Sequence, residues 1–438
     1  MINKGVKKGI YVVISILLIQ CVSGVFTVDI SSSSEIAATD WMVEPDIIVP
    51  DDYPTIQSAI NNAHSGFCIG IRSGVHHESL IIEGHGLDGL TLIGENRTNA
   101  IITADEMMDV DTIIISNADE VTVSNLTITG SGQGRDQNTK RYNNFGVKCF
   151  NAANIQISSN IIKDNGNGIT CDGESSIDID GNEIINNKDD GIEGNGKLII
   201  TNNNISNNGH GFPPETTNGD GIEIMTSSQA SEIINNIISY NGVDGIWDET
   251  VDDHLIIDNE IHHNGQSGIH LEEGRDCKIR NNIIYGNGFG EFGKYGAGIY
   301  LVQSTSNLID NNEIFDNKRG IDFRQSHFNE LSDNNIYGNK LAGIQLWQTS
   351  SNKIFNNNIR ENLFGMVLIF ASNFKISYND IYLNDLFGLV SIVSVGGASF
   401  NWWGNMFGPY MVKMLRLPPL LTIVTPWSLT RINEESGV

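Results

Sequence analysis

A six-residue sequence motif of asparagine and isoleucine, N-x-I-x-x-N, recurs ten times along the chain and is called the phrase below. Its copies begin at these positions: Asn160, Asn182, Asn203, Asn236, Asn259, Asn282, Asn312, Asn334, Asn357 and Asn379. Most copies lie 21 to 23 residues apart, and two intervals are longer, at 33 and 30 residues. After each copy, a glycine is followed by an apolar residue. A fixed period of this length predicts a solenoid, in which each repeat forms one coil.

A repeat of about 22 residues is too short for a helix and a strand, but it has room for three short strands and three turns. The pattern predicts one alternating strand before the phrase, a turn at the phrase, and a further strand that begins at the glycine. The isoleucines are expected to point inward. The asparagines are expected to hydrogen-bond to their counterparts in adjacent coils, which gives them a structural role rather than a catalytic one.

Both ends of the repeat region carry segments that differ from it. Ile47-Ile48-Val49 is typical of a strand, and Pro54 suits the first position of a following helix. Apolar residues spaced for one helical face then follow, namely Ile56, Ala59, Ile60 and Ala63. This helix is expected to cover one open end of the solenoid. The other end is expected to be plugged by aromatic residues, namely Phe400, Trp402, Trp403 and Phe407.

The first 24 residues are typical of a signal peptide. Lys4, Lys7 and Lys8 precede an apolar stretch from Ile10 to Ile19, and small residues follow. An uncleaved membrane anchor is the alternative. The predicted organisation is a signal peptide (1–24), a linker (25–45), the N-terminal cap and first coils (46–100), the parallel β-helix (101–399), and a C-terminal cap and tail (400–438). The solenoid is expected to have about twelve coils in all. The protein is therefore expected to be secreted or held at the cell surface.

Charge and cysteine usage exclude two classes of function. The chain has 26 basic and 53 acidic residues, a net charge of −27, so a nucleic acid partner is not expected. The four cysteines after the signal segment do not have the spacing of a zinc site. Cys149 and Cys171 each lie three residues after a repeat glycine, so they are expected to stack in adjacent coils, as free thiols in preference to a disulfide.

Because strand residues alternate, the residue two positions after each glycine is expected to point outward, and these residues should stack in one column. The central column comprises Lys148, Thr170, Glu193, Glu223, Trp247, His270, Tyr300, Asp322, Gln345, Val367 and Val390. The carboxylate column, one position before the glycine, comprises Asp190, Asp220 and Asp244. The distal column, four positions after it, includes Glu249, Glu272, Arg324 and Trp347. Together these columns predict a carboxylate-rich face that also carries aromatic residues.

Three insertions precede the glycine strand, at Ser131–Asn144, Gly209–Gly219 and Gly288–Ala297. Insertions on one face of a solenoid are typical of its binding side. They are expected to border a groove that holds a polysaccharide. Two carboxylates there would act as acid and as base or nucleophile, because neighbouring carboxylates raise one another's pKa.

The candidate catalytic residues are Asp220, Glu223, Asp244, Glu249, His270 and Arg324. The candidate substrate-binding residues are Trp247, Tyr300, Asp322 and Trp347, of which the aromatic ones would stack on sugar rings. Asp190 and Glu193 are a candidate calcium pair. Turnover, glycan binding without turnover, and a purely structural or adhesive surface all fit these patterns. A face this acidic favours a neutral glycan unless Ca²⁺ bridges an anionic one.

The helix segment PTIQSAINNA, the repeated phrase and the N-W-W-G ending resemble a known family over residues 46–428. It is the right-handed parallel β-helix group that includes NosD-like exported proteins and carbohydrate-binding and sugar-hydrolase (CASH) domains. The resemblance implies an all-β fold with one solenoid and leaves the activity open. Asp189-Asp190 and Gly209-His210-Gly211 partly resemble polygalacturonases, but the N-T-D and R-I-K motifs are absent, as is the D-P-H motif of alginate epimerases. A NosD-like role would imply copper ligands, for which His254, His262 and His263 are the candidates.

Overall fold

The computed structural model describes residues 41, 43–104, 110–131, 144–209, 219–225, 229–250, 252–290, 296–404, 414–417 and 421–423. These residues lie in one compact unit, which spans 41–438. Every strand pair that has been assigned a register within them is parallel, and the strands form three sheets. From Cys68 to Ile392 the chain visits sheets 1, 2 and 3 in turn in each coil and then returns to sheet 1, as in an all-β solenoid.

Sheet 1 has 16 strands in the described residues. They are Ile47–Val49, Cys68–Ile71, Thr91–Gly94, Thr122–Ser124, Ile155–Ser158, Ser176–Asp180, Lys197–Thr201, Glu232–Ile234, Leu255–Ile257, Lys278–Arg280, Leu308–Asp310, Glu330–Ser332, Lys353–Phe355, Ser372–Ser377, Val395–Ser399 and Leu421–Ile423.

Sheet 2 has 13 strands in the same part of the chain. They are Gly74–His77, Ala100–Thr103, Thr127–Thr129, Ile161–Lys163, Glu183–Ile185, Asn204–Ser206, Ile237–Ser239, Glu260–His262, Ile283–Tyr285, Glu313–Phe315, Asn335–Tyr337, Asn358–Arg360 and Asp380–Tyr382.

Sheet 3 has 14 strands among the described segments. They are Leu80–Glu83, Ile113–Ser116, Phe145–Phe150, Asn167–Asp172, Ile192–Gly194, Ile222–Ile224, Ile246–Glu249, Ile269–Glu272, Ile299–Val302, Ile321–Arg324, Ala342–Trp347, Phe364–Ile369, Phe387–Ile392 and Met414–Leu417. The solenoid thus has about 14 turns, two more than the repeats predict. One added turn is the irregular first coil. The other comes from Met414–Leu417 and Leu421–Ile423, which extend the solenoid beyond residue 399.

The N-x-I-x-x-N phrase contains a strand of sheet 2, so the prediction of a turn there is wrong for its middle residues. In the first copy, Ile161–Lys163 is the strand and Asn160 and Asn165 flank it. The first asparagines form a buried ladder. For example, the side-chain amide of Asn282 donates to Oδ1 of Asn312 at 3.0 Å, and its backbone N–H donates to the same oxygen at 2.9 Å. The last asparagines form a second ladder. The predicted structural role is confirmed.

The repeat glycines mark places where a side chain has no room. A Cβ atom at Gly245 would lie 2.6 Å from the carbonyl oxygen of Gly268 and 2.9 Å from Cγ2 of Ile261. The inward isoleucines of each coil pack directly behind these strands and are fully buried. The glycine lets the chain turn sharply into sheet 3 while adjacent coils remain in contact.

The predicted helix exists and is short, at Ile56–Ile60 (α1). Thr55 caps it, so Pro54 lies before the cap rather than at the first helical position as predicted. The Glu78 carboxylate accepts hydrogen bonds from the first two helical N–H groups. Ile56, Ala59 and Ile60 are buried against the first strands of sheets 1 and 3. No helix in the described residues is long and apolar enough to cross a membrane.

At the opposite end, the aromatic residues behave differently from one another. Trp403 is buried with its ring against Gly388. Phe400 is exposed and stacks on Tyr378, so the prediction that it plugs the core is wrong. Trp402 is half-buried, and Phe407 lies outside the described residues. The predicted signal peptide and most of the linker also lie outside them.

Candidate functional site

The strands of sheet 3 place the central column in continuous register. Lys148 pairs with Thr170, Thr170 with Glu193, and Glu193 with Glu223. The register then continues through Trp247, His270, Tyr300, Asp322, Gln345, Val367 and Val390. The distal column is also in register, from Glu249 through Glu272, Val302 and Arg324 to Trp347. The sequence period therefore identified which residues are neighbours.

The carboxylate column makes hydrogen bonds that run from coil to coil. Oδ1 of Asp190 accepts the backbone N–H of Asp220 at 2.7 Å, and Oδ1 of Asp220 accepts that of Asp244 at 2.6 Å. Asp244 in turn accepts the N–H of Ser267. All three carboxylates are buried. Each one satisfies the backbone at the sharp turn into sheet 3, a role that the sequence did not indicate.

Asp190, Asp220 and Glu223 form a cluster, the carboxylate trio, at one end of this face. One oxygen from each lies within 4.8 Å of the others. Burial raises the pKa of Asp190 well above its usual value, and the nearby charges of Asp189 and Glu223 add to the shift. Burial also raises the pKa of Asp220, with further contributions from Asp244 and Glu223. Glu193 is adjacent but outside the trio, so the structure groups Asp190 with residues other than its predicted calcium partner.

Asp244 and His270 form a hydrogen-bonded pair in adjacent coils. Oδ2 of Asp244 lies 3.0 Å from Nδ1 of His270. Nε2 of His270 is buried and has no hydrogen-bond partner in the described part of the chain. The imidazole is stacked near Trp247, at 6.2 Å between ring centroids, and near Tyr300, at 4.8 Å. The ring is therefore held at Nδ1, while Nε2 makes no hydrogen bond with the described residues.

Two arginines surround the carboxylate of Asp322. The Asp322 carboxylate is fully buried, with Arg324 at 3.1 Å, Arg319 at 3.8 Å and the Gln345 amide donating at 3.0 Å. Burial raises the pKa of Asp322, and Arg324 and Arg319 act against that shift. Because it is enclosed in this way, Asp322 is placed to orient the arginines, and its substrate-binding role stays a prediction.

The aromatic residues of the face differ in accessibility. Tyr300 is only 9 % exposed, so it offers a ligand little surface. Trp347 is 38 % exposed, and the Arg324 guanidinium lies 5.2 Å from its ring centroid and 5.6 Å from that of Tyr300. Trp247 is half-buried. Trp347 is thus the aromatic side chain of this face that is best placed to contact a sugar ring.

Three insertions were expected to border the site, and most of their residues lie outside the described ones. The ends of all three are described. Oγ of Ser131 donates to the carbonyl oxygen of Asn144 at 3.4 Å. A Cβ atom on Gly209 would lie 2.5 Å from the Cα atom of Gly219, and one on Gly296 would lie 2.4 Å from that of Gly288. Each insertion therefore leaves and rejoins the coil at nearly one point, beside the strands of sheet 3.

Two arrangements of polar residues lie away from this face. His254 is buried with its Nδ1 atom 3.2 Å from Oδ2 of Asp248, inside the solenoid. His262 and His263 contact each other on the outside of sheet 2, with their Nδ1 atoms 2.9 Å apart. The described residues therefore do not gather the three candidate copper ligands into one cluster.

The sequence reasoning also missed an aromatic stack on sheet 2. His262, Tyr285, Phe315 and Tyr337 follow one another at 4.7 to 5.1 Å between ring centroids, with ring planes within 14° of parallel. The guanidinium of Arg360 lies 4.3 Å from the Tyr337 ring centroid. The rings cover one another's faces, and the N-x-I-x-x-N phrase itself would have revealed the stack at its fourth position.

Comparisons with known proteins identify the fold. The model of the family described as "Right handed beta helix region" matches residues 55–193 and 192–359. No curated protein sequence matches this chain.

Among solved structures, the chain is similar to the Azotobacter vinelandii mannuronan C-5 epimerase AlgE6 A-module, at 16 % identity and a TM-score of 0.46, over 85 % of this chain and 93 % of that one. It is similar to a mannuronic-acid-specific polysaccharide family 6 lyase from human gut microbiota, at 13 % identity and a TM-score of 0.49, over 82 % and 87 % of the two chains. It is also similar to a double mutant of the periplasmic alginate epimerase AlgG, at 14 % identity and a TM-score of 0.43, over 83 % and 77 %. Similarity at these identities concerns the fold alone. The chain belongs to the family of right-handed parallel β-helix proteins.

Proposed function

We propose that the face of sheet 3 from Asp244 to Trp347 binds a polysaccharide and that His270 transfers a proton to or from it. The observation that carries this proposal is the Asp244–His270 pair, in which one imidazole nitrogen is held at 3.0 Å and the other has no partner within the described residues. The carboxylate favours the tautomer with its proton on Nδ1, so the lone pair of Nε2 can act as a base.

The exposed part of the face suits an extended ligand. The distal column runs through five successive coils, from Glu249 to Trp347. At a coil spacing of ~4.8 Å this column is about 19 Å long. Trp347 and Arg324 lie at one end and two glutamates, Glu249 and Glu272, lie at the other. An acidic surface of this kind repels a polyanion, so a neutral polysaccharide is the expected ligand.

The remaining candidate carboxylates have supporting roles in this proposal. Asp220 and Glu223 are buried, and Oδ1 of Asp220 already accepts the N–H of Asp244. In this proposal Asp220 positions Asp244, and through it His270, while Glu223 lies against Asp220. Glu249 is half-buried and faces outward, so it can supply the second acid or base.

A turnover assay with matched variants tests the proposal. Purified protein is incubated with neutral and uronate polysaccharides, with and without Ca²⁺, and reducing ends and the ultraviolet absorbance of unsaturated products are measured. We expect turnover of a neutral polysaccharide, a kcat ~10²–10⁴-fold lower for His270→Gln, and an unchanged KM. His262→Gln, which changes a histidine on sheet 2, is the control and should retain activity.

The outcomes separate the parts of the proposal. Glycan binding without turnover by the wild-type protein would reject the catalytic role of His270 and leave binding. Equal loss in His262→Gln and His270→Gln would indicate a folding defect and reject the assigned role. Absence of both binding and turnover would leave a structural or adhesive surface.

We further propose that the protein is exported. The basic residues Lys4, Lys7 and Lys8 before the apolar stretch Ile10–Ile19 support this proposal. Fractionation of producing cells, with N-terminal sequencing of the mature chain, should find a protein that begins near residue 25 outside the cytoplasm. A chain that retains its first residues and sediments with membranes would instead identify an anchor.

A further inference from the structure

The carboxylate trio combines three acidic side chains from two successive coils. Asp190 precedes Gly191, and Asp220 and Glu223 flank the start of the next strand of sheet 3. Their exposed fractions are 1 %, 1 % and 3 %. One oxygen of each lies within 4.8 Å of the other two. Three carboxylates enclosed at this distance cannot all carry an uncompensated negative charge.

The hydrogen bonds of Asp190 use one of its two oxygens. Oδ1 accepts the N–H of Asp220, whereas Oδ2 is buried and has no hydrogen-bond donor among the residues that the structure describes. A buried carboxylate oxygen is nearly always satisfied by a donor or a cation. Among the described residues, the charged groups that raise the pKa of the Asp190 carboxyl are four carboxylates, namely Asp189, Glu223, Asp220 and Glu193. Oδ2 of Asp190 is therefore a ligand atom that a cation can use.

We propose that Asp190, Asp220 and Glu223 bind one Ca²⁺ ion. Ca²⁺ takes oxygen ligands at ~2.3–2.6 Å in flexible geometry, so two ligands on opposite sides of it lie roughly 4.6–5.2 Å apart. Oxygens that all lie within 4.8 Å of one another can therefore contact one such ion. Mg²⁺ usually binds through one or two carboxylates and keeps several waters, which suits a buried group of three less well.

The bound ion would connect two coils at the point where the hydrogen-bond ladder begins. Asp190 holds the backbone of Asp220, and Asp220 holds that of Asp244. Neutralising the trio stabilises this ladder without any contact between the ion and the polysaccharide. Binding of the ion can therefore be measured directly, whether or not the protein is an enzyme.

Calorimetric titration with Ca²⁺ of the full-length chain, after treatment with a chelator, tests the proposal. We expect one saturable site per chain and an unfolding midpoint that rises with Ca²⁺ concentration. Asp190→Asn retains an oxygen that can accept the N–H of Asp220 but removes the charge. It should weaken Ca²⁺ binding at least tenfold, as should Glu223→Gln. Asp178→Asn, which changes a half-buried aspartate on sheet 1 of the coil that contains Asp190, is the matched control and should bind as the wild type does.

Three results would overturn the proposal. They are no saturable Ca²⁺ binding to the wild-type protein, wild-type affinity in both trio variants, and a loss in Asp178→Asn equal to that in Asp190→Asn. Circular dichroism of each variant establishes that it is folded. If Ca²⁺ is absent from the trio and acidification alone raises the unfolding midpoint, protons rather than a cation neutralise the carboxylates.

Discussion

Oδ2 of Asp248 lies 3.2 Å from Nδ1 of His254 in the interior of the solenoid, where the two side chains are 0 % and 1 % exposed. Asp248 is in register with Ile224 and Leu271, which are apolar and buried. The pair therefore replaces core packing in one coil. Removing two charged groups from water costs several kcal/mol per ion, and their attraction offsets that cost only in part.

Restoring the apolar pattern of the neighbouring coils should stabilise the protein. In the double variant Asp248→Leu/His254→Ser, each new residue matches a neighbouring coil. Leu is the residue type at the same position in the next coil, Leu271, and Ser is the type in the preceding coil, Ser231. We expect it to be more stable than the wild type by about 1–4 kcal/mol. His254→Ser alone leaves an unpaired buried carboxylate and should be less stable by about 3–5 kcal/mol. Urea unfolding of the wild type, the double variant and the single variants Asp248→Leu and His254→Ser measures these differences. A double variant less stable than both single variants would contradict the expectation.

The same pair should make stability depend on pH. Burial raises the pKa of Asp248, although His254 and His270 act against the shift. The folded state thus holds the proton more tightly than the unfolded state. The stability contributed in this way is fully present below the unfolded pKa of about 4 and is lost as pH rises through the folded pKa. The advantage of Asp248→Leu/His254→Ser should grow from acidic to neutral pH, which thermal unfolding at a series of pH values checks. An advantage that is constant over that range would exclude Asp248 as its source.

The sequence predicted much of the sheet 3 face because the repeat period gives the register of its strands. Counting from each glycine correctly gives the neighbours of Trp247, His270 and Tyr300. Counting does not give burial, because that depends on what lies beside a column as well as on its direction. For this reason Asp220, Glu223 and Asp322 were expected on the surface and are enclosed.

Local geometry set the other limits of prediction. Helix α1 begins after Thr55 because Thr55 and Ser58 form a reciprocal cap, a feature that the apolar pattern from Ile56 to Ala63 does not reveal. The last coil has no copy of the N-x-I-x-x-N phrase, so Met414–Leu417 and Leu421–Ile423 gave no periodic signal. Structure was thus predictable where the chain repeats and less so where the repeat ends.

The asparagine ladder provides a prediction on stability. Asn282→Ala removes the donor to the Ile256 carbonyl and the acceptor for the N–H of Asn259, and it breaks the contact with Asn312. Each buried backbone group left without a partner costs about 1–3 kcal/mol, so we expect a destabilisation of about 3 kcal/mol or more. Lys278→Ala, an exposed residue of the same coil, should change stability by less than about 0.5 kcal/mol.

Denaturant unfolding with circular dichroism measures both variants. Because coils in a solenoid contact only their neighbours, Asn282→Ala should also broaden the transition by separating the unfolding of the two halves. Equal unfolding midpoints for Asn282→Ala and Lys278→Ala would show that water can replace the hydrogen bonds of the Asn282 side chain.

The buried thiols should be unreactive in the folded protein. Cys149 and Cys171 are in register in adjacent coils and are free, as the sequence predicted. Burial raises the pKa of Cys171 to about 12 and that of Cys277 to about 12, whereas the pKa of Cys68 is raised to about 11. Since the thiolate is the reactive form, a thiol reagent should modify the folded chain slowly at neutral pH, with Cys68 first. All four should react rapidly in denaturant, and peptide mass analysis of samples taken over time identifies the order. Modification of Cys171 before Cys68 in the folded protein would contradict this account, because it would require the sheet 3 coils to open more readily than the first coil of sheet 1.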